Sequence, residues 1–321
     1  MSRLGAVARY LGKRVLLTLP TLFLVALFVF VLIRMIPGDP AQVMLGDVAD
    51  PQALAGLRHQ MGLDQPLPVQ FLAWLGRALH GDLGVSAATG EPVLPLILER
   101  FQVTASIVLS AVALATLAAI VGGLLAAWRQ NRRLDAAIVG AATLSMAMPS
   151  FWLGLMLLLV FGVKLQWLPV VGYVSLRQDL GAGLAYIALP VATLAIVESG
   201  VLTRMMRASA IDVLRLDYVT HARAKGLSEP VVLARHVFPN AFAPTLTLVG
   251  LTLGHLLGGA AVIETVFTLP GLGRLVVDSI LARDYPVVQG CLLFTAVIYV
   301  AVNLVVDLCY PLLDPRVAAE G

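Results

Sequence analysis

The sequence predicts an all-α membrane protein, and composition is the first reason for this prediction. Of the 321 residues, 59% are hydrophobic and only 13% are charged, and the mean hydropathy is +0.91. Soluble domains carry about 25% charged residues, so most of this chain must face lipid or other apolar segments. The formal net charge of +3 is too small to indicate a protein that binds nucleic acid.

The length of the apolar runs is the second reason. A helix needs roughly 20 mostly apolar residues to cross a bilayer. Six runs meet this requirement, at about 15–35, 103–127, 136–162, 184–203, 241–263 and 287–309. The third run contains Pro149 and the fourth contains Pro190, and helix bundles tolerate proline inside a span. We therefore expect each of the six runs to form one transmembrane helix.

The first run is preceded by Arg9, Lys13 and Arg14, as a signal peptide would be. It is too long for the apolar region of a signal peptide, and Ile36-Pro-Gly-Asp-Pro40 follows it in place of a cleavage site of small residues. We therefore predict an uncleaved helix over 1–35.

The positions of lysine and arginine predict the orientation, because cytoplasmic loops are enriched in these residues. They are concentrated before the first run, in 128–135 and in 204–240, whereas 36–101 contains three arginines and seven acids. We predict cytoplasmic termini, an extracytoplasmic segment at 36–101, and a bacterial or archaeal cytoplasmic membrane.

The extracytoplasmic segment is long enough to contain helices of its own. Asp50-Pro51 is typical of a helix start, and that helix should run to about Met61. A second, amphipathic helix is predicted from about Val69 to Leu79, followed by a turn at Gly81-Asp-Leu-Gly84. The segment could shield the bundle or dock a soluble partner, and the sequence leaves both readings open.

Residues 217–239 form a polar, basic stretch between the fourth and fifth apolar runs, and we call it the basic island. A helix is predicted from Ala208 to Lys225, with Gly226 at the position after a helix end that favours positive φ. Ser228 is a candidate N-cap for a second helix, which Pro239 should close. We predict that this short helix projects from the membrane and docks on a partner protein; an ordinary solvated loop is the alternative.

The basic island resembles the characteristic cytoplasmic loop of bacterial ATP-binding-cassette importer permeases. That loop reads E-A-A, three residues, G, nine residues and I-x-L-P. The positions that match are Ala222, Gly226 and Pro239, with Phe238 in the place of Leu. The positions that depart from the pattern are Thr220, His221 and His236.

The run Ala222-Arg-Ala-Lys-Gly-Leu-Ser228 resembles the dipeptide, oligopeptide and nickel branch of these permeases. Motifs of that branch are matched in order along nearly the whole chain. They are Leu27-Phe-Val-Phe30, Arg34-Met-Ile-Pro-Gly-Asp-Pro40, Met61-Gly-Leu-Asp-Gln-Pro-Leu67, Gly81-Asp-Leu-Gly84, Pro149-Ser-Phe-Trp-Leu153, Trp167-Leu-Pro169, Gly172-Tyr173, Glu264-Thr-Val-Phe267, Pro270-Gly-Leu-Gly-Arg274, Arg283-Asp-Tyr-Pro286 and Asp314-Pro-Arg316.

The resemblance implies the fold of a type I importer permease and four kinds of partner. These are membrane lipid, a second homologous permease, two cytoplasmic ATPases and an extracytoplasmic substrate-binding protein. It divides the single permease domain 1–321 into the first helix, the extracytoplasmic segment and a core of five helices over 102–310, with a coupling loop at 204–240. The chain has no glycine-rich phosphate loop, so we expect it to bind no cofactor, with ATP and Mg used by the partner ATPases.

The resemblance also assigns the basic island to coupling. Its short helix would insert into a cleft on one ATPase, whose closure would switch the bundle from inward-open to outward-open. Arg223 and Lys225 are the candidates for charge contacts, and Ala222 and Gly226 would permit close packing. The full set of predicted coupling residues is Ala222, Arg223, Lys225, Gly226, Leu227 and Pro239.

Polar groups in the apolar runs are candidates for the translocation path. Glu198 and His255 lie in the fourth and fifth runs, where a charge is costly and usually faces the bundle interior or a wet cavity. Each could instead form a structural hydrogen bond between helices. Ser150 and Trp152 are further path candidates, with core packing as their alternative role.

Three glycines in the fifth run, Gly250, Gly254 and Gly258, form a ladder of small residues that favours close packing against another span or the partner permease. The two cysteines, Cys291 and Cys309, both lie in the last run and do not indicate a disulfide scaffold. No metal-binding or nucleophile motif indicates an enzyme.

Short peptides are the predicted cargo, with glutathione-like peptides and nickel chelates open as alternatives. A stand-alone secondary transporter or channel is the alternative of another class. It would predict an inverted repeat, and none is evident.

Overall fold

The computed structural model describes residues 3–35, 41–42, 50–60 and 62–313. Several sequence predictions fall outside these ranges, namely those on 36–40, on Met61 and on Asp314-Pro-Arg316. Within the described ranges the chain is mostly helical, and its only β-type pairing is a single bridge between Val85 and Pro92. The all-α prediction is therefore confirmed for this part of the chain.

The helices are numbered here in chain order. They are α1 Arg3–Met35, α2 Pro51–Gln60, α3 Leu67–Leu79, α4 Val93–Trp128, α5 Arg133–Ala147, α6 Ser150–Leu157 with a π-helical extension Leu158–Lys164, α7 Leu180–Leu214, α8 Asp217–Ala224, α9 Glu229–Val232 with a π-helical turn Leu233–Val237, α10 Phe238–Gly259, α11 Ala261–Val266, α12 Leu272–Leu281 and α13 Tyr285–Leu313.

Five stretches of described helix are long and apolar enough to cross a membrane. They are Leu16–Met35, Val93–Trp128, Leu180–Leu214, Glu229–Gly258 and Tyr285–Cys309. A sixth span would consist of α5 and α6 together. The most extensive helix packing joins α4 to α7, and α10 packs mainly on α13.

The prediction of one continuous helix over 136–162 was wrong, although α5 and α6 together can form a single bent span. The axes of α5 and α6 differ by 101°, and the bend lies at Met148 and Pro149. Met148 has ψ 127° because the proline ring excludes the residue before it from the helical region. Pro190, by contrast, lies inside the continuous helix α7.

The predicted helix over 208–225 was wrong in its continuity. The chain breaks between α7 and α8 at Leu216, which has φ −76° and ψ 144°. This turn directs Val219 and Ala222 back onto the bundle, where both are buried. A straight continuation would leave these apolar side chains in solvent, so burial favours the break.

The prediction that Pro239 closes the second island helix was also wrong. The chain stays helical from Glu229 to Gly258, and the π-helical turn Leu233–Val237 directly precedes Phe238 and Pro239. Proline lacks an N–H, and its ring clashes with the carbonyl four residues earlier. A widened turn relieves that clash, so the helix continues through the proline.

Other local predictions were confirmed. α2 begins at Pro51 and α3 ends at Leu79, as the sequence predicted. Gly81 and Gly84 have φ 82° and 90°, the positive values that the predicted turn requires.

Candidate functional site

The basic island folds as two helices joined by a turn at Gly226, whose backbone lies in the left-handed region. Gly226 has φ 80°, and its N–H donates to the carbonyl of Arg223 at 2.9 Å. The N–H of Leu227 donates to the carbonyl of Ala222 at 3.4 Å. These bonds satisfy carbonyls at the end of α8, so the predicted helix stop at Gly226 is confirmed. Ser228 occupies the N-cap position of α9, although its side chain forms no capping bond.

The inner face of this element is anchored to the membrane helices. Val219 and Val232 are fully buried and Ala222 is 6% exposed. They form one apolar cluster with Met206 of α7 and Ala127 of α4. Ala222 therefore packs inward against the bundle. The two island helices are thus packed directly against α4 and α7.

An ion pair spans the turn between the two island helices. Arg223 donates from Nε to Glu229 Oε1 at 2.8 Å and from Nη2 to Oε2 at 3.1 Å. Such a two-point contact fixes the geometry of both side chains. Arg223, predicted as a charge contact for a partner, is thus engaged within the chain. Lys225 is exposed and forms no ion pair with any residue in the described ranges.

A second contact ties α8 to the π-helical turn. The hydroxyl of Tyr218 donates to the carbonyl of His236 at 3.3 Å. Burial raises the pKa of the Tyr218 phenol, so this donor stays protonated at neutral pH. The carbonyl of His236 also accepts from Nδ2 of Asn240 at 3.0 Å. His236, which departs from the I-x-L-P pattern, is therefore held in place by two hydrogen bonds to its backbone carbonyl.

The outer face of the turn is exposed and mixed in character. Leu227 and Val231 are each 39% exposed, and Lys225 and Gly226 lie beside them with high exposure. A Cβ placed on Gly226 would meet no atom within 4 Å. An open backbone, two apolar side chains and one cation are therefore exposed together at this turn. Pro239 is exposed as well but lies beyond the π-helical turn, away from Gly226 in the chain.

The candidate path residues do not form one cluster. Glu198 on α7 is half-buried and interacts electrostatically with His255 on α10, which is exposed. Ser150 and Trp152 lie at the start of α6 and share no hydrogen bond or ion pair with either residue. Trp152 is 45% exposed. Glu198 and His255 thus lie within electrostatic range of each other, and no hydrogen bond or ion pair joins them to each other or to the two residues at the bend.

The glycine ladder of α10 faces α13 of the same chain. A Cβ added at Gly250, Gly254 or Gly258 would overlap one side chain of α13 in each case. These side chains are Val306, Tyr299 and Thr295, respectively. The ladder therefore lets the two helices approach closely.

Three buried polar contacts between distant parts of the chain were not predicted from the sequence. Asp135 of α5 binds Arg207 of α7 through two bonds of 2.6 and 2.7 Å. Asp284 accepts from the Ser86 hydroxyl at 2.5 Å and from the Ala87 N–H at 3.1 Å. The sequence signal for Asp284 was its place in the motif Arg283-Asp-Tyr-Pro286.

The third contact surrounds Glu264, which is 1% exposed. Its Oε1 accepts from the Thr104 hydroxyl at 2.5 Å, and its Oε2 accepts from the N–H of Arg274 at 2.8 Å. Thr104 Oγ1 also accepts from the N–H of Leu272 at 2.8 Å. Glu264 and Thr104 together satisfy N–H groups at the start of α12, where a carboxylate is favourable.

Comparison with protein families gives two matches that together span most of the chain. The model of binding-protein-dependent transport system inner membrane components matches residues 119–319, and the model of the N-terminal part of such membrane components matches residues 7–108.

Relatives of known name extend over nearly the whole length. A Sinorhizobium fredii permease protein, named for peptide ABC transport, is 39% identical over 96% of this chain and 98% of its own. A Brucella abortus protein, named as a permease of a peptide transport system, is 42% identical over 95% of this chain and 97% of its own. The glutathione transport system permease protein of Escherichia coli is 42% identical over 96% and 98%.

A solved crystal structure of an amino acid ABC transporter with histidines aligns with a TM-score of 0.46 and 19% identity, covering 69% of this chain and 94% of that chain.

Proposed function

This chain belongs to the binding-protein-dependent transport system inner membrane components, and from that premise we propose that it carries short peptides inward across the cytoplasmic membrane. It is a permease subunit of an ABC importer and not itself an enzyme, because ATP hydrolysis in this family takes place in separate subunits. The proposal includes two such ATPases, a second homologous permease and an extracytoplasmic binding protein as partners.

The observation that carries the coupling role is the contrast between the two faces of the basic island. Its inner face is buried against α4 and α7, whereas its outer face at Gly226 is open. An element that is rigidly attached on one side and open on the other can transmit a force applied by a partner. We assign that partner as an ATPase, with Lys225, Gly226 and Leu227 on the contact surface. Arg223 stabilises the turn through its ion pair with Glu229, and Ala222 anchors the turn to the bundle.

The proposed topology follows from charge and from the helices. With the basic island inside, both termini are cytoplasmic and 36–101 is extracytoplasmic. Six crossings then require that α5 and α6 act together as the third span despite their bend. The whole chain is one permease domain, in which 102–310 contribute five of the six crossings. ATP and Mg bind to the partner ATPases.

The peptide cargo is supported by the relatives. Proteins about 40% identical along nearly their full length are named for peptide or glutathione transport, and glutathione is itself a short peptide. Nickel or a metal chelate remains the alternative cargo for the same machinery.

Glu198 is the proposed ionisable group of the path, because it is half-buried and faces His255 across two packed helices. It would meet the amino group of a peptide, with Ser150 and Trp152 lining the bend of the third span. If Glu198→Ala leaves the KM and kcat of uptake unchanged, Glu198 does not belong to the path.

The function is tested by reconstituting this chain with its partner subunits and the binding protein in proteoliposomes. Uptake of radiolabelled dialanine should require ATP, the binding protein and both ATPases. Nickel ions should neither be imported nor compete with dialanine. ATP-independent uptake by this chain alone would contradict the proposal and favour a secondary transporter, and ATP-driven nickel import without peptide import would replace the cargo.

A further inference from the structure

A cavity of about 380 Å³ opens between the end of α1, the helix α3, the turn before α4 and the start of α13. This volume lies in the range of pockets that bind small molecules, roughly 300–1,000 Å³. Its wall includes two arginines, Arg34 and Arg77, and the amide side chain of Gln289. None of these residues belongs to the coupling surface or to the proposed path.

Arg34 is held in the cavity wall by neutral groups. Its Nε and Nη2 donate to Gln70 Oε1 at 3.1 and 2.9 Å, and the guanidinium carbon lies 4.9 Å from the centre of the Phe30 ring. Gln70 is itself fixed, since its Nε2 donates to the carbonyls of Leu63 and Gln65. The guanidinium is therefore oriented in advance, and its Nη1 forms no hydrogen bond with a residue in the described ranges.

The cavity wall carries two cations, Arg34 and Arg77, against the single carboxylate of Asp82. No carboxylate in the described ranges forms an ion pair with Arg34 or Arg77. Asp82 also lines the cavity, and its Oδ1 accepts from the N–H of Gly84 at 2.9 Å. A half-buried cation without a counter-charge costs free energy, and a bound anion would remove that cost.

An unsatisfied donor in the same wall gives an independent indication of a ligand. Gln289 is 8% exposed, and its Nε2 has no hydrogen-bond partner. Buried polar groups in proteins are nearly always paired, because an unpaired buried donor is destabilising. Gln289 lines this cavity, so a ligand oxygen that reaches Nε2 would supply the missing bond.

We propose that this cavity binds the terminal carboxylate of a short peptide before it enters the path. The Arg34 guanidinium matches the two oxygens of a carboxylate, Arg77 adds a second positive charge, and the Gln289 amide donates to the same anion. Apolar wall residues such as Trp74 and Leu83 would contact the adjoining side chain. The choice of a peptide rests on the proposed function, whereas the need for an anion rests on the cavity.

The test measures binding to the full chain assembled with its partner subunits in nanodiscs, without the binding protein. Equilibrium dialysis with radiolabelled dialanine is compared with dialanine amide, which lacks the carboxylate. We expect Arg34→Gln to weaken dialanine binding by about ten- to hundredfold, since hydrogen bonds to charged groups contribute that much. Arg77→Gln and Gln289→Leu should weaken it by smaller factors. Arg177→Gln, which alters an exposed arginine in the loop before α7, should leave it unchanged.

Three results would overturn the proposal. One is equal binding of dialanine and its amide, and another is unchanged binding in both Arg34→Gln and Arg77→Gln. Because Arg77 is exposed, its variant should fold even where the Arg34 variant does not. The third is loss of dialanine binding when phosphatidylglycerol replaces phosphatidylcholine in the nanodiscs, which would identify a lipid headgroup as the anion.

The experiments distinguish a wrong assignment of the anion site from a wrong assignment of peptide import. Normal dialanine uptake with unchanged binding in the cavity variants would refute only the cavity. If the wild-type assembly imports no peptide, line broadening of ¹³C-labelled propionate still tests the anion site. Broadening that Arg34→Gln abolishes would then support an anion site, and its absence in the wild type would refute one.

Discussion

Two glycine turns lie beyond opposite ends of α10, and they are built in opposite ways. Gly226, before α10, has open space around it and a positive φ of 80°. Gly271, after α10, has φ −94°, and a Cβ there would overlap the Glu264 carboxyl. Gly226 is required for its backbone conformation and Gly271 for its lack of a side chain. The first turn leaves room for a partner, whereas the second leaves no room at all.

Substitution of the packed turn should have the largest effect on folding. Gly271→Ala should reduce stability by at least about 3 kcal/mol, because the added methyl group displaces a buried carboxylate from its hydrogen bonds with Thr104 and Arg274. The matched control is Gly226→Ala, which costs only about 1–2 kcal/mol for the positive φ. Thermal unfolding of the purified chains in detergent measures both. Equal losses would contradict the contrast between the two turns.

Substitution of the open turn with a charged residue should lower uptake strongly without loss of folding. Gly226→Asp should insert into the membrane normally but lower ATP-driven uptake more than tenfold, because an unpaired charge at a closed interface costs several kcal/mol. ATP hydrolysis by the partner ATPases should persist. Uptake and hydrolysis are measured in the same proteoliposomes.

Gly226→Asn is the matched control for this variant, since Asn and Asp both tolerate positive φ and differ in charge. The Asn variant should retain a larger share of uptake. Normal uptake by Gly226→Asp would refute the assignment of this turn to coupling.

Removal of a hydrogen bond to Glu264 should reduce the free energy of unfolding less than the added methyl group at Gly271 does. Thr104→Val removes a hydroxyl that donates to Glu264 and accepts from Leu272, at nearly constant volume. We expect a loss of roughly 1–3 kcal/mol in the free energy of unfolding. Thr247→Val, at a part-buried threonine of α10, tests the same chemical change elsewhere. A smaller loss at Thr104 than at Thr247 would contradict a role of Thr104 in holding α12.

The sequence predicted the open turn at Gly226 but not the buried contacts around Gly271. Gly226 and Ser228 were predicted because a helix end and a helix start each have short-range signals. The Glu264–Thr104 bond joins residues 160 apart in the chain, and no local pattern predicts such a pair. The ion pair of Arg223 with Glu229 was not predicted, because the two residues lie on opposite sides of a turn.

The proline positions show the same limit. Pro149 and Pro190 are equivalent by local rules, yet one begins a new helix and the other lies inside α7. What differs is packing after the proline. A Cβ at Gly154 would lie 3.2 Å from the ring of Phe267, directly after α11, and 3.6 Å from Thr193 of α7. The direction of α6 thus depends on tertiary contacts that the sequence does not reveal.

The smallest expected effect concerns the ion pair that braces the open turn. Both side chains are about a third exposed, at 37% and 32%, so solvent screens their attraction. A double-mutant cycle of Arg223→Ala and Glu229→Ala should give a coupling of about 0.5 kcal/mol in the free energy of unfolding.

Uptake by the same variants distinguishes two roles for Arg223, stabilisation of the turn and direct contact with the ATPase. If Arg223 braces the turn, either single substitution should lower uptake by a similar factor, less than about threefold for a screened pair. The double variant should then lower it no further, because the second residue has already lost its partner. If Arg223 contacts the ATPase instead, Arg223→Ala should lower uptake strongly while Glu229→Ala leaves it nearly unchanged. Lys225→Ala provides the reference for a cation on the open surface, and its loss should exceed that of Arg223→Ala.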